Sequence, residues 1–237
     1  MALISLSWLP VIRPTSASGP AALAVARDSA SVNNSEESMA GKDSRLFDQL
    51  SLDDKGLSVK AFATACKGYR KLEAKGLIRS HFLTICDFSQ SANRKRMYLI
   101  DMLKEKIVMI TYVAHGRNSG DEYATKFSNR NESLQSSLGF YVTSSTYIGG
   151  HGLSLRIAGM ENGINDNALA RSIVVHGASY LGDKWLNNAP FSGRSWGCPA
   201  VPAAQSAEII NTIKDGSCLF IYHPSSDYLK KSKLLNS

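Results

Sequence analysis

The stretch RMYLIDMLKEKIVMITYVA, residues 96–114, contains two apolar runs that are rich in β-branched and aromatic residues. The polar turn Leu103-Lys104-Glu105 separates them, so the stretch predicts a hairpin with strands at 96–102 and 106–114. Similar runs recur on both sides of this hairpin. The further predicted strands are 83–88, 140–143, 153–157, 172–175 and 218–222. Many strands at short intervals with few helices predict a mainly β domain over about residues 83–223.

Helices are predicted at two places. Ser58 is the expected N-cap of the first, whose apolar residues recur at helical spacing until Gly76 ends it. The second is expected at 202–214, with Pro202 in its first turn. Residues 14–43 are rich in Ser, Ala, Asn and Glu without periodicity, which predicts a linker. The predicted organisation is a signal and linker at 1–43, a helical N-terminal segment at 44–82, the β domain at 83–223 and a C-terminal tail at 224–237.

The composition narrows the class of protein. The chain has 237 residues, of which 43% are hydrophobic, and this is enough apolar material for a folded core. Its net charge of +7 favours polyanionic surroundings: nucleic acid, an anionic membrane or an acidic cell-wall polymer. The basic residues are scattered rather than clustered with stacking aromatics, which argues against nucleic acid. A solvated basic surface is the simplest interpretation.

The N-terminus has features of an export signal. Residues 2–12 are mostly apolar and small residues follow them, as in the h-region and cleavage site of a secretory signal, although no Lys or Arg precedes the apolar run. No stretch approaches the ~20 apolar residues of a transmembrane helix. We therefore expect export with removal of the first ~20–30 residues; the alternative is a cytosolic protein that retains its N-terminus.

The strongest chemical signal is a cysteine directly behind a glycine, in Arg194-Ser195-Trp196-Gly197-Cys198-Pro199. A predicted strand ends in His176, which lies 22 positions before Cys198. A thiol needs a base to react near neutral pH, and the imidazole of a histidine is the usual one. The glycine allows a tight turn whose N–H groups could face an oxyanion. This pairing predicts acyl transfer through Cys198; the alternative is an inert buried thiol.

The other histidines are weaker choices for the base. His115 and His151 also precede glycines at strand edges, but His176 ends the most continuous apolar strand and is nearest to Cys198. His81 and His223 are expected to be surface residues. Between residues 116 and 138 runs a long polar loop, which either lines the site or is a surface excursion.

The remaining cysteines carry no metal signature. Cys66, Cys86 and Cys218 are too widely spaced for a zinc site, and a Cys66–Cys86 disulfide would fit an oxidising compartment. Cys218 is expected to be buried in a strand. The zinc-protease, P-loop and serine-hydrolase motifs are all missing from the sequence. Neither a metal nor a cofactor is therefore predicted.

Taken together, the motifs resemble a known family. His176-Gly177 followed by Ser195-Trp196-Gly197-Cys198 resembles the signature of the L,D-transpeptidase (YkuD-type) catalytic domain, a histidine–glycine pair followed by S/T-H-G-C. The stretches 112–120, 136–141 and 193–200 resemble its divergent murein L,D-transpeptidase branch. The resemblance covers about residues 83–222. Two features depart from the pattern: Trp196 stands in place of the second histidine, and 183–192 is expected to be an insertion.

The resemblance implies a fold and a reaction. The fold would be a β-sandwich or barrel with one or two short helices, preceded by a small helical segment. Cys198 would be the nucleophile, His176 its base, and the N–H groups of Gly197 and Cys198 part of the oxyanion hole. The residues expected to bind substrate are Arg194, Ser195, Trp196, Gly177, His151 and His115.

The implied donor is a tetrapeptide stem of peptidoglycan, cleaved after its diamino acid with loss of D-alanine, and an acceptor amine then takes the acyl group. The protein would reside in the periplasm or cell envelope, beside anionic envelope polymers. The alternatives are hydrolysis of the same acyl-enzyme, as in an L,D-carboxypeptidase or endopeptidase, and a non-catalytic cell-wall-binding module.

Overall fold

The computed structural model describes the chain from Asp28 to Ser237, with side chains from Met39 onward. Residues 39–237 form one compact unit, and the side-chain contacts described below belong to it. The export signal predicted at residues 2–12 lies outside the described residues. Among the helices of the described part, none is long and apolar enough to cross a membrane.

Two helices precede the strands, α1 at Asp28–Gln49 and α2 at Val59–Ala74. Ser58 caps α2 as predicted, because its Oγ accepts a hydrogen bond from the N–H of Ala61 at 3.2 Å. α1 begins at Asp28, inside the segment predicted as signal and linker. Asp43 on α1 forms a two-pronged ion pair with Arg70 on α2, at 2.5 and 2.7 Å. Such a long-range contact leaves no trace in local periodicity.

Eight strands form a single sheet, and the prediction of a mainly β fold is confirmed. They are β1 Phe82–Asp87, β2 Met97–Asp101, β3 Lys106–Thr111, β4 Gly139–Gly149, β5 Gly152–Gly159, β6 Val174–Ala178, β7 Ala200–Pro202 and β8 Cys218–Tyr222. Their order across the sheet is β3-β2-β1-β8-β4-β5-β6-β7. Beyond β3, the N–H of Ala114 donates to the carbonyl of Ala200 in β7 at 2.9 Å. This bridge joins the two ends of the sheet, which makes it barrel-like.

Four short helices complete the unit: α3 Asp183–Leu186, α4 Ala203–Ile213, α5 Ser226–Lys231 and α6 Lys233–Asn236. The helix predicted at 202–214 corresponds to α4. On the other side of the sheet, α2 approaches so closely that a Cβ at Gly68 would lie 2.0 Å from the ring of Phe140. That ring stacks on Phe220 of β8 with centroids 4.0 Å apart. The sheet core therefore continues directly into α2.

The C-terminal residues are docked rather than loose. The carboxylate of Glu161 is buried and accepts hydrogen bonds from the Phe140 N–H at 2.8 Å, the Tyr228 hydroxyl at 3.1 Å and the Ser232 hydroxyl. Burial raises the pKa of Glu161, and these three donors partly oppose the shift. The segment predicted as a tail is thus tied to the barrel by α5 and α6.

All four cysteines are free thiols. The disulfide considered between Cys66 and Cys86 is not formed: each thiol is buried in its own element, α2 and β1. Cys218 is fully buried in β8, as predicted. Cys198 alone of the four is partly exposed, which separates it from the core thiols.

The sheet places the segment that contains Cys198 beside the strand that contains His176. β6 and β7 are parallel neighbours, and His176 pairs with Ala200, two residues after Cys198. β7 was missed from the sequence because three residues carry no periodicity. Its pairing with β6 is nevertheless what places the cysteine segment beside the histidine strand.

Candidate active site

The loop before Cys198 is held rigidly. Gly197 has φ +122°, a conformation that favours glycine. The hydroxyl of Ser195 accepts from the Gly197 N–H at 3.1 Å and donates to the carbonyl of Cys198 at 2.6 Å. The hydroxyl of Ser136 donates to the Gly197 carbonyl at 3.1 Å. The thiol is therefore presented from a fixed turn, which we call the nucleophile loop, residues 195–198.

The sulfur of Cys198 lies at the beginning of β6. The N–H of Val174 donates to it at 3.5 Å, and it lies 3.8 Å from the carbonyl oxygen of Ser172. Burial raises the pKa of Cys198; the Val174 N–H and the positive charge of Arg171 oppose the shift but do not cancel it. The resting group is thus a neutral thiol, whose S–H can donate to the Ser172 carbonyl.

His176 is held in one tautomer. Its Nδ1 lies 2.9 Å from the carbonyl oxygen of Gly177. A carbonyl can only accept, so Nδ1 carries the proton and Nε2 is the basic nitrogen. Burial lowers the pKa of His176, the Gly177 carbonyl opposes this, and neighbouring His151 lowers the pKa further. The ring is therefore neutral near pH 7 and able to accept a proton.

His151 lies at the tip of the β4–β5 hairpin and stacks on His176, with ring centroids 4.2 Å apart and an interplanar angle of 19°. Among the described residues no hydrogen bond joins His176 to the sulfur of Cys198. Hydrogen bonds between catalytic groups often tighten only when substrate is bound, so the geometry leaves the pairing open.

Arg171 is a site residue that the sequence analysis missed. Its guanidinium donates to the Ser128 carbonyl at 2.8 Å, the Ser137 hydroxyl at 2.6 Å, the Ser133 hydroxyl at 3.3 Å and the Gln135 carbonyl at 2.5 Å. All four acceptors belong to the long polar loop at 116–138. The Gln135 carbonyl in turn lies against Gly197, where an added Cβ would be only 2.8 Å away. The loop therefore lines the site, and Arg171 fastens it there.

Three residues expected to bind substrate make contacts inside the protein. His115 is 0% exposed; its Nδ1 accepts from Arg96 at 2.7 Å and its Nε2 lies 3.2 Å from the Gly120 carbonyl. Burial and the charge of Arg96 lower the pKa of His115 to about 4. Ser195 is buried by the nucleophile loop. A Cβ on Gly177 would lie 2.7 Å from Ser206 Oγ, so this glycine lets α4 pack closely on β6.

A cleft of about 320 Å³ opens beside the nucleophile loop. Trp196, which is 72% exposed, forms one wall together with Arg117 and Arg194. A second part of the lining, which we call the wall of residues 183–192, comes from the segment predicted as an insertion and carries Trp185 and Phe191. Two of the predicted substrate-binding residues, Arg194 and Trp196, thus line this cleft.

A family model that covers most of the chain shows which protein family the chain belongs to. Residues 53–222 match the model of the YkuD_2 family, described as the L,D-transpeptidase catalytic domain. The chain belongs to this family. The match begins at residue 53 rather than 83 because it includes α2, which packs on the sheet through Gly68. The resemblance inferred from the motifs is confirmed.

The similarity to solved L,D-transpeptidases is low. An L,D-transpeptidase from Mycobacterium smegmatis is 10% identical, with a TM-score of 0.38 over 61% of this chain and 59% of that chain. An L,D-transpeptidase from Stackebrandtia nassauensis is 11% identical, with a TM-score of 0.35 over 69% of this chain and 68% of that one. The alignment thus spans about three fifths of the mycobacterial chain. No curated protein sequence matches significantly.

Within the family signature, this chain departs at Trp196, which occupies the place of the second histidine. The indole is exposed in the cleft instead of contacting the sulfur of Cys198. Neither His115 nor His151 takes over that place beside the thiol, since His115 is enclosed by Arg96 and Gly120 while His151 stacks on His176.

Proposed function

We propose that the protein catalyses cysteine-dependent acyl transfer on peptidoglycan stem peptides, that is, L,D-transpeptidation. The observation that carries the proposal is the setting of Cys198. It is the partly exposed thiol at the end of a rigid loop, and β6 supplies both a backbone N–H to its sulfur and a neutral imidazole two residues further on. Family membership supplies the reaction class.

In the first half of the reaction, Nε2 of His176 takes the proton of the Cys198 thiol. The thiolate attacks the carbonyl carbon between the diamino acid and the terminal D-alanine of the donor stem. The C–N bond then breaks, and the imidazolium returns the proton to the leaving amine of D-alanine. The product is a thioester on Cys198, which retains enough reactivity to acylate an amine without ATP.

In the second half, an acceptor amine attacks the thioester and loses a proton to His176. The C–S bond breaks, an amide forms, and the thiolate of Cys198 regains its proton. If water attacks instead of the amine, the product is a free carboxylate, and the protein acts as a carboxypeptidase or endopeptidase.

We expect only one of the two N–H groups named from the sequence to serve the oxyanion hole. The N–H of Gly197 is already bonded to Ser195, at 3.1 Å. Among residues 28–237 the N–H of Cys198 donates no backbone hydrogen bond outside the helices and strands. Of the two N–H groups, that of Cys198 is therefore the one available to the developing oxyanion, as such groups are in acyl-transfer enzymes.

The proposed substrate determines the compartment in which the protein acts. Peptidoglycan lies outside the cytoplasmic membrane, so this activity requires export to the periplasm or cell envelope. The net charge of +7 favours association with anionic envelope polymers. N-terminal sequencing of protein from the envelope fraction tests for removal of the predicted signal.

Incubation with purified disaccharide-tetrapeptide, with products read by mass spectrometry, tests the proposal. Transpeptidation predicts release of D-alanine and a cross-linked dimer, neither of which should form with Cys198→Ala. Release of D-alanine with free tripeptide but no dimer would assign hydrolysis instead. If the wild type and Cys198→Ala both leave the substrate unchanged, the acyl-transfer proposal fails and a wall-binding role takes its place.

A further inference from the structure

We propose that the cleft between Trp196 and residues 183–192 is a carboxylate site, in which Arg117 pairs with the C-terminal carboxylate of the donor peptide. The inference deepens the proposed function and relies on it for the nature of the ligand.

The wall formed by residues 183–192 is preformed. The side-chain amide of Asn93 donates to the Pro190 carbonyl at 3.1 Å, and its oxygen accepts from the Ser192 N–H at 2.9 Å. The indole N–H of Trp185 donates to the Phe191 carbonyl at 3.2 Å. These hydrogen bonds within the protein fix the position of the wall, so binding requires little ordering.

The cleft contains one uncompensated positive charge. The guanidinium of Arg194 is paired with Asp121, bonded to the Gly120 carbonyl and stacked over Phe191 at 5.3 Å. Arg117 is exposed, and its side chain makes no hydrogen bond or ion pair with any other described residue. A guanidinium fork matches the two oxygens of a carboxylate, whereas it would repel the ammonium group of an acceptor.

A second polar group at the cleft lacks a partner. Ser192 is fully buried and borders the cleft, yet its hydroxyl bonds to no other group in the described part of the chain. A buried hydroxyl without a hydrogen bond is uncommon and needs an explanation. The oxygen of this hydroxyl is shielded from solvent, so a ligand in the cleft does not touch it and the carboxylate site depends on Arg117.

The aromatic walls strengthen such a pair. Trp196 is 72% exposed and Trp185 is 40% exposed, and both face the cleft. Contact with a ligand would remove water from between them and lower the local dielectric, which increases the attraction between a carboxylate and Arg117. The volume of about 320 Å³ is at the small end of ligand pockets, so it suits a chain end rather than a long segment.

The position of the cleft selects which carboxylate binds. Trp196 stands two residues before Cys198, so the cleft borders the nucleophile loop directly. In the donor, the terminal carboxylate is one residue beyond the carbonyl that the thiolate attacks, a span of roughly 3–4 Å along an extended chain. Of the acidic groups of the donor, the terminal carboxylate is the nearest to the scissile bond along the chain, and we assign it to Arg117.

The test measures binding alone, in a Cys198→Ala chain that cannot form the thioester. The chain has three tryptophans, and substituting Trp8→Phe leaves the two indoles of the cleft as the fluorescent probes. The ligands are the stem tetrapeptide with a free C-terminal carboxylate and the same peptide as its C-terminal amide. Calorimetry measures the same two affinities independently. A peptide-free glycan oligomer is the third ligand.

We expect the acid to bind at least about tenfold more tightly than the amide, as for one charge-assisted pair. Arg117→Gln should remove this preference by weakening the acid alone, whereas Arg79→Gln, the same change at an exposed arginine outside the cleft, should retain it. Equal binding of acid and amide, or a preference that survives in Arg117→Gln, overturns the inference. So does quenching by the glycan oligomer without quenching by the tetrapeptide. Because no bond is made or broken, these results are independent of whether Cys198 is acylated.

Discussion

The most informative perturbation of the nucleophile loop is Gly197→Ala. Alanine would have to adopt φ near +122°, which costs about 1–3 kcal/mol for a residue with a side chain. The added Cβ would also lie 2.8 Å from the Gln135 carbonyl oxygen, and that oxygen is held by Arg171 at 2.5 Å. The loop must therefore shift. Strain and clash together should lower the free energy of unfolding by about 2–3 kcal/mol, or Tm by roughly 4–12 °C.

The effect on the reaction should be larger than the effect on stability. A displacement of about 1 Å at a reacting atom costs on the order of 10²-fold in rate. We expect the acylation rate of Gly197→Ala, measured by single turnover at a temperature where the protein is folded, to fall by about 10–100-fold. Gly163→Ala is the matched control, because Gly163 has φ +75° but open space around its Cβ position. The acylation rate of Gly163→Ala should equal that of the wild type. An acylation rate in Gly197→Ala within twofold of wild type would refute the reasoning.

Three further substitutions test which histidine is the base and how the charge of Arg171 affects the thiol. His176→Gln should slow acylation by ~10²–10⁴-fold near neutral pH, and the rate should partly recover at alkaline pH. His151→Gln should lose less of the acylation rate. If the rate–pH profiles show the reverse pattern, the roles of the two histidines are exchanged. The rate of alkylation of Cys198 by iodoacetamide should rise beyond pH 9, because burial raises the pKa of the thiol. Arg171→Met should move this rise to higher pH, because the positive charge that opposes the pKa shift is lost. A plateau below pH 8, or an identical profile in Arg171→Met, contradicts that account.

Where the local signals in the sequence were strong, they were sufficient to predict the bounds of a strand. β8 has the predicted bounds because its five apolar residues are bounded by a glycine turn and a polar segment. β4 was predicted only at 140–143, whereas it continues to Gly149. The second half is a projecting hairpin of serine, threonine and tyrosine, largely open to solvent, so it shows no apolar pattern.

The site was only partly predictable for a similar reason. Cys198 and Gly197 were identifiable because the turn and the thiol are encoded within a few residues. Arg171 was not, because its hydrogen-bond acceptors lie 34 to 43 positions away in a loop whose path the sequence does not specify. His115-Gly116 and His176-Gly177 look alike locally, yet the ring of His115 is enclosed beside Arg96, whereas His176 lies on β6 and pairs with Ala200 of β7.

The central claim is that Cys198 is the thiol that forms the acyl-enzyme. The most direct test is the intact mass of the protein after incubation with a carbapenem, whose strained lactam amide is opened by a thiolate. The account predicts one covalent adduct on the wild type, mapped to Cys198, and none on Cys198→Ala with the fold intact by circular dichroism. An adduct that persists in Cys198→Ala, or that maps to Cys66, Cys86 or Cys218, would contradict it.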